Sequence, residues 1–200
     1  PYRRPTLADV RAWVGDVPNH RIRCWPPPGA STPADLAALN AGRGVYELVA
    51  AVAVERAAAP VGCRLRTHLV RLLGGAHAVS VGQPLQLDRF AVRLPDIALA
   101  PTEGAAPAFI LEIIRSDNTA AEVSLPLSEY AKAGVKLAWY VDPERKEVDI
   151  CPKANPKRKR TLGVDDELDG GAVLPSFAVK VGKLFESRAP AKKPARKGKK

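Results

Sequence analysis

Residues 93–114, RLPDIALAPTEGAAPAFILEII, constrain the fold of this chain more than any other stretch. Two apolar segments are separated by a loop rich in Pro, Gly and Ala, which predicts two β-strands. Each segment contains one acid, Asp96 in the first and Glu112 in the second. A carboxylate buried in a strand costs free energy unless a cation, a hydrogen-bond donor or a metal ion accompanies it. We therefore expect a partner beside each acid.

The alternation of side chains along a strand relates the two acids to each other. Asp96 shares a face with Ala98, and Glu112 shares a face with Ile110 and Ile114. If the strands pair as a hairpin, the two carboxylates point to the same side and lie within a few ångströms. Carboxylates that close can hold a hard divalent cation such as Mg²⁺, together with water and phosphate oxygens. The pair thus predicts a metal site that could activate water against a phosphodiester.

The same acids have a simpler explanation. An arginine such as Arg93 or Arg115 could form a structural ion pair with Glu112, without any role in catalysis. Strand spacing alone does not choose between a metal site and an ion pair, so both hypotheses stand.

Four helices are predicted from their start signals, their stop signals or an apolar stripe. Three begin at a threonine that is followed by an acid or a proline, and one is amphipathic with leucines on one side. The predicted helices are residues 6–14, the segment from Thr32 to Gly42, residues 63–75, and the segment from Thr119 to Lys132. Pro126 lies inside the last helix, where it removes a backbone hydrogen bond and should bend the axis.

The predicted strands are interleaved with these helices. They cover residues 45–56, which lack a strong turn signal in their middle, residues 79–87, 95–100 and 108–114, and two strands in residues 135–151 around an Asp-Pro turn. Residues 173–185 are predicted as a last short strand or helix. This order indicates an α/β or α+β fold, in which a mixed β-sheet is flanked by helices.

The domain organisation follows from length and composition, because 200 residues suit one domain with appendages. We predict an N-terminal extension with a short helix (1–29), one domain (30–187) and a disordered basic tail (188–200).

The three cysteines, Cys24, Cys63 and Cys151, lie far apart and have no metal-ligand spacing. They argue against a disulfide framework and a zinc site, and a reducing cytoplasm is the expected location. The apolar run 48–54 is far shorter than the roughly 18 residues that span a bilayer, so no membrane association is expected.

Positive charge is concentrated in two places. The formal net charge is +10, and the last thirteen residues carry seven basic side chains and no acid, which leaves +3 for residues 1–187. Clustered Lys and Arg can neutralise nucleic-acid phosphates. The candidate nucleic-acid-binding residues are Lys157, Arg158, Lys159 and Arg160 in a predicted loop, and Lys192, Lys193, Arg196 and Lys197 in the tail. The alternative is a solvated loop and a solubilising tail.

The order of several segments resembles the Uma-type putative restriction endonuclease family of the PD-(D/E)XK nuclease superfamily. The segments include YELV, PLQLDRFAVRLPDIALAP, AFILEIIRSDNT and EYAKAGVKLAWYVDPERKEVDIC, and the resemblance covers about residues 26–186. It implies a restriction-endonuclease-like fold and a metal-dependent DNA endonuclease that hydrolyses phosphodiester bonds with Mg²⁺. By this resemblance Asp96 and Glu112 are catalytic metal ligands, and Glu47 is an acid that accompanies them. DNA is the implied partner, and a homodimer is open because many nucleases dimerise.

The chain departs from the family pattern at the catalytic lysine. That lysine lies one helical turn before Tyr130, where this sequence has Pro126. Arg115, three residues after Glu112, is a candidate replacement cation, although an arginine stays protonated and cannot serve as a base. The active-site pattern is therefore degraded.

Three functions remain open on the sequence. The first is a Mg²⁺-dependent DNA endonuclease. The second is a catalytically inactive nuclease-fold protein that binds nucleic acid through the basic loop and tail. The third is a non-enzymatic interaction scaffold, because a fold alone does not decide a function.

Overall fold

Capping boxes and alternating apolar residues divide the chain into four α-helices and twelve β-strands within the residues that the computed structural model describes, namely 4–56, 62–73, 78–102 and 105–186. The helices are α1 (Leu7–Val14), α2 (Pro33–Asn40), α3 (Gly62–Leu73) and α4 (Ala120–Lys132). The strands are β1 (Tyr46–Val49), β2 (Val52–Glu55), β3 (Ala78–Ser80), β4 (Leu85–Gln86), β5 (Val92–Arg93), β6 (Ile97–Ala100), β7 (Phe109–Ile113), β8 (Leu137–Asp142), β9 (Glu147–Pro152), β10 (Arg160–Leu162), β11 (Glu167–Gly170) and β12 (Leu174–Lys180). Short 3₁₀ helices cover Asn19–Arg21, Pro156–Arg158 and Val181–Phe185.

Three helices begin where the sequence predicted. In each, the threonine hydroxyl accepts a hydrogen bond from the backbone N–H three residues on, and the acid there accepts one from the threonine N–H, so two otherwise unpaired donors are satisfied. The pairs are Thr6 with Asp9, Thr32 with Asp35, and Thr119 with Glu122. Helix α4 runs through Pro126 to Lys132, and the proline, which has no N–H, leaves one turn of the helix without its usual hydrogen bond.

The larger sheet has six strands in the order β10-β9-β8-β7-β6-β3. Strands β7 and β8 are parallel, and the other neighbours are antiparallel. Helix α4 connects the two parallel strands, as a crossover between parallel strands requires. The predicted fold class, a mixed sheet flanked by helices, is confirmed.

The two faces of this sheet bury different elements. One face packs against α3, through Leu69 and Leu73, and against the two-stranded β11–β12 sheet. Trp139 is fully buried there, with its ring 4.9 Å from that of Phe109 and 5.3 Å from that of Phe177. The opposite face is covered by α4, whose Tyr130 packs in a cluster with Ile110, Ala138 and Cys151.

A smaller sheet has four strands in the order β2-β1-β5-β4. Along the chain, its strand β5 is followed directly by β6 of the larger sheet. Val10 and Val14 of α1, which lies in the predicted N-terminal extension, pack against Val52 and Val54. Leu36 of α2 packs against the other side of β1. In the described residues, no helix has the length and apolarity that crossing a membrane would require.

Two strand predictions are corrected by the structure. Residues 45–56 form a hairpin, β1–β2, whose two-residue turn is Ala50-Ala51 with φ of 48° and 59°. Turns of this kind favour Asn and Gly, so two alanines gave no turn signal. The strand predicted at 79–87 is two strands, because β3 pairs with β6 in the larger sheet and β4 pairs with β5 in the smaller one.

The Ala50-Ala51 turn predicts a stabilising substitution. Ala50 is exposed, so Ala50→Gly removes left-handed backbone strain without losing packing, and should raise the free energy of unfolding by about 1 kcal/mol. Urea denaturation measures the change. The matched control Ala131→Gly, at an exposed α4 position, should lower it by about 1 kcal/mol. Equal destabilisation by both substitutions would contradict the assigned turn.

Candidate functional site

The strand register brings Asp96 and Glu112 together. Ala98 of β6 faces Ile110 of β7, and continuing this antiparallel register places Asp96, one residue before β6, beside Glu112. The Ile113 N–H donates a hydrogen bond to Asp96 Oδ2 at 2.9 Å, and the Asp96 N–H lies 3.4 Å from Glu112 Oε2. The convergence of the two carboxylates on one side therefore has the geometry that the alternation predicted.

The cation between the two acids is Arg56, which directly follows β2. Its Nη2 lies 3.4 Å from Glu112 Oε2 and 3.6 Å from Asp96 Oδ2. Its Nε lies 3.4 Å from Oε1 of Glu47, the acid on β1. One guanidinium thus faces three carboxylates. The sequence had suggested Arg93 or Arg115 as the partner of Glu112, and both of these pair with other acids.

Asp96 is the most enclosed of the three acids, with a side chain that is 1% exposed. Arg115 Nη2 lies 2.7 Å from Asp96 Oδ1, and Arg66 of α3 approaches the same oxygen at 3.7 Å. Arg115 also donates from Nη1 to the Ile113 carbonyl at 3.1 Å. Both carboxylate oxygens of Asp96 therefore face donors from the protein itself.

The network continues into the smaller sheet through Arg93. Its Nη1 lies 3.2 Å from Glu47 Oε2, and its Nε lies 2.6 Å from Glu129 Oε2 on α4. Glu47 Oε1 accepts a further hydrogen bond from the Leu94 N–H at 2.9 Å. Among the described residues, the connected ion pairs join four acids to four arginines, so this set is electrically balanced when all are charged.

Burial and neighbouring charges shift the pKa values of Glu112 and Arg56. Burial raises the pKa of Glu112 from 4.5 to about 7, and the nearby charges of Asp96 and Glu47 add to the shift. Arg56 and the Tyr130 hydroxyl, which donates to Glu112 Oε1 at 2.6 Å, oppose it. Burial also works against the charge of Arg56, but the surrounding carboxylates outweigh it and raise the pKa of the guanidinium. Arg56 therefore stays a cation.

A row of polar side chains crosses the larger sheet from the site. Glu112 is in register with Tyr140, Tyr140 with Asp149, and Asp149 with Thr161, so all four lie on the face that α4 covers. The Tyr140 hydroxyl is buried, without a hydrogen-bond partner in the described residues. It borders a cavity that is also lined by Glu112, Arg56 and Pro126. Pro126 thus borders the same cavity as Glu112.

The basic segment lies at the far end of this row. Lys157, Arg158, Lys159 and Arg160 are exposed, and Lys159 Nζ lies 2.9 Å from Asp149 Oδ2. The tail residues Lys192, Lys193, Arg196 and Lys197 lie outside the described residues.

The residues in this arrangement do not fit Mg²⁺. Within the described residues, no group of three or more His, Cys, Asp or Glu side chains is placed to hold a metal ion. Arg56 Nη2 lies in the gap between the two carboxylates, within 3.6 Å of both Asp96 Oδ2 and Glu112 Oε2. A divalent ion could not bind between them without displacing that side chain, because two cations would repel at this separation.

Sequence reasoning missed Arg56, Arg66 and Tyr130 as parts of this site. Arg56 ends the segment VAVER, where a basic residue follows a strand that pairs with the acid-containing strand YELV. That adjacency is the signal that could have identified it, because the end of such a strand lies close to the acid of its partner.

Comparisons with known proteins identify a family and a fold for this chain. A family model described as Uma2, putative restriction endonuclease, matches residues 55–182, which include Arg56, Asp96 and Glu112 but not Glu47. No curated protein matches the chain. A crystal structure of a putative nuclease belonging to DUF820 from Anabaena variabilis matches with a TM-score of 0.62 and 12% identity, over 75% of this chain and 96% of that one. At that identity the likeness shows the fold.

The raised pKa of Glu112 predicts a pH dependence of stability. The folded state holds this proton more tightly than the unfolded state, so stability from this group is present below pH 4.5 and is lost as the pH rises to about 7. Glu112→Gln lacks this loss. Its unfolding free energy relative to wild type should therefore rise, by at most about 3 kcal/mol between about pH 5 and about pH 8. Urea denaturation at the two pH values measures it. Glu186→Gln, at an exposed glutamate, is the control, and a parallel trend in both variants would contradict the prediction.

Proposed function

Because the chain belongs to the Uma2 family of putative restriction endonucleases, we propose that it is a nuclease-fold protein that binds DNA and, with Arg56 in place, does not hydrolyse it. The observation that carries this proposal is the position of the Arg56 guanidinium, within 3.6 Å of both Asp96 and Glu112. The site has the acids of a nuclease and an internal cation where a metal ion would act.

Hydrolysis of a phosphodiester needs an activated water and a cation at the developing charge. Arg56 and Arg115 supply positive charge, but an arginine does not act as a base and offers no coordination position for water. Glu112 is the best candidate for a general base in the site, but its Oε1 already accepts a hydrogen bond from the Tyr130 hydroxyl. Pro126 provides neither charge nor a proton at the position beside the acids.

DNA binding is supported by the place of the basic segment. Lys157, Arg158 and Arg160 are exposed next to β10, on the sheet that carries the acids. Adjacent strands lie about 4.8 Å apart, so Asp149, which anchors Lys159, is roughly 10 Å from Glu112 along the polar row. A DNA backbone bound at the segment would therefore pass close to the acids. A homodimer stays a prediction that sedimentation of the purified protein measures.

A metal-dependent endonuclease is the second candidate function. It is favoured by the adjacency of Asp96 and Glu112 and by the length of the Arg56 contacts, which at 3.4–3.6 Å are looser than the 2.7 Å pair between Arg115 and Asp96. This function requires Arg56 to leave the gap when DNA and Mg²⁺ bind.

Cleavage assays separate the two functions. Wild-type protein incubated with supercoiled plasmid and with single-stranded DNA, over titrations of Mg²⁺ and Mn²⁺, should produce no nicks above those of Asp96→Asn, because Arg56 occupies the gap. Gel electrophoresis measures the products. Metal-dependent nicking by wild type that disappears in Asp96→Asn would overturn the inactive assignment and establish the endonuclease.

The basic segment predicts the salt dependence of DNA binding. Replacing Lys157, Arg158 and Arg160 by alanine should weaken binding about tenfold or more and reduce the slope of log affinity against log salt by up to about 3, because each lost phosphate contact releases fewer counterions. Fluorescence anisotropy of a labelled duplex measures both.

A matched variant controls for net charge in this experiment. It replaces Arg71, Lys180 and Lys183, which are exposed on α3, at the end of β12 and in the last 3₁₀ helix. These elements lie on the opposite side of the larger sheet from α4. Equal loss of affinity in both triple variants would mean that the segment is not the binding surface. Absence of DNA binding by wild type at low salt would favour the interaction scaffold.

A further inference from the structure

Two aromatic side chains are exposed where loops of the smaller sheet meet the turn of the β1–β2 hairpin. Trp25 is 80% exposed and Phe90 is 46% exposed. The Ala51 N–H donates a hydrogen bond to the Phe90 carbonyl at 2.8 Å, and the Ala51 carbonyl accepts one from the Gly29 N–H at 2.9 Å. The loop that contains Trp25 and the loop that contains Phe90 are therefore joined to the same residue of the turn.

The loop of Trp25 projects from the edge of the smaller sheet. It begins where the Arg23 N–H donates to the Ala53 carbonyl at 2.9 Å, and it ends where Gly29 bonds to Ala51. Ala53 and Ala51 are two positions apart, a distance of about 7 Å along a strand. Five further residues lie between Arg23 and Gly29. They must loop outward to fit this short distance, and Trp25 is one of them.

The same loop is stiff. Residues 26–28 are consecutive prolines, whose rings fix the backbone φ. The loop ends at Gly29, which has a φ of 80° and lies so close to the Trp13 ring that a Cβ there would be 2.9 Å from it. Trp13 of α1 thus packs against the end of the loop. A side chain held on a stiff loop loses little conformational freedom when a ligand covers it, which favours binding.

Arginines accompany the exposed rings. The guanidinium of Arg89 lies over the Phe90 ring, with Cζ 4.3 Å from the ring centroid. The guanidinium of Arg23, at the start of the first loop, lies over the Tyr46 ring at 4.8 Å. Both arginines are exposed, so each guanidinium forms a cation–π pair and still presents its charge to solvent.

Exposed rings beside arginines fit the chemistry of unpaired nucleotides. Unpaired bases stack on aromatic side chains and on guanidinium planes, while arginine charge attracts the phosphates between them. The acid beside Arg89, Asp88, accepts a hydrogen bond from the Phe90 N–H at 2.6 Å, which turns its carboxylate toward the backbone. The bases of a duplex are already stacked on one another, so a duplex cannot use the rings in this way.

We propose that Trp25, Phe90, Arg23 and Arg89 form a docking surface for single-stranded nucleic acid, here called the aromatic tip. Unpaired bases stack on the two rings, and the two arginines attract the phosphates. The aromatic tip belongs to the smaller sheet and is distinct from the basic segment 157–160, which adjoins the larger sheet. This inference rests on the nucleic-acid binding of the proposed function and adds a second surface with a preference for unpaired strands.

The test is oligothymidine binding by the full chain, measured by the quenching of tryptophan emission and by the anisotropy of a labelled oligonucleotide. Wild type should bind and be quenched, because a base stacked on Trp25 alters the emission of an exposed ring. Trp25→Ala should bind at least about tenfold more weakly, whereas Trp25→Phe, which keeps a ring, should retain most of the affinity. Trp25 is 80% exposed, so both variants should fold. Unchanged oligothymidine binding by Trp25→Ala would overturn the proposal.

Two controls separate stacking from apolar contact and from charge. Leu7→Ala removes another exposed apolar side chain, 62% exposed on α1, and should leave oligothymidine binding unchanged. Inorganic polyphosphate carries the charge of a nucleic acid without bases and should not quench the emission. Quenching by polyphosphate equal to that by oligothymidine, or equal loss of affinity in Leu7→Ala and Trp25→Ala, would reject stacking on the aromatic tip.

Blunt-ended duplex DNA keeps a failure of this inference separate from a failure of the proposed function. Trp25→Ala should bind the duplex as wild type does, because the duplex has no unpaired bases. Duplex binding by wild type without oligothymidine binding would reject the aromatic tip and leave the proposed function standing. Oligothymidine binding without duplex binding would reject the basic segment as a duplex site and leave the aromatic tip standing.

Sedimentation of the same variants tests a different occupant, a second copy of the chain. Trp25→Ala should have the same association state as wild type. If Trp25→Ala instead abolishes self-association of wild type while oligothymidine binding persists, the exposed rings form a contact between copies and the proposal fails.

Discussion

The rest of the structure depends on the charge balance between Arg56 and the carboxylates of Glu47, Asp96 and Glu112. Two sheets meet where β5 leads into β6, and their ends place these acids within reach of one another. Acids so enclosed would repel each other in the absence of a cation. The surrounding carboxylates raise the pKa of the Arg56 guanidinium, so it stays charged and offsets part of that repulsion.

Fold and site give different information about this protein. The chain belongs to the Uma2 family, described as putative restriction endonucleases, and shares its fold with a solved structure, whereas the site carries an arginine between the carboxylates of Asp96 and Glu112. An arginine and a divalent ion both neutralise carboxylates, but the arginine carries a single fixed charge and its planar donors cannot polarise a water molecule as a Lewis acid. Activity is therefore decided at the site, and the fold leaves it open.

The features predicted well from the sequence are those set by neighbouring residues. Threonine with an acid three positions later specified helix starts, and the alternation along two strands specified which way Asp96 and Glu112 point. The partner of Glu112 could not be predicted in this way, because Arg56 lies 56 residues away along the chain and meets it only after both sheets form. The turn at Ala50 and Ala51 was missed because its backbone conformation, with positive φ at both residues, is one that alanine does not favour.

The shared guanidinium also bears on how this architecture can be divided. Glu47 belongs to the smaller sheet and Glu112 to the larger, and Arg56 contacts both. A fragment that contains only one of the sheets would separate an acid from its counter-ion. A chimera that transfers one sheet to a related scaffold would do the same, and each would leave a buried ionised group without a partner. The two sheets are thus held as one unit by a single side chain, and neither sheet alone keeps its acids neutralised.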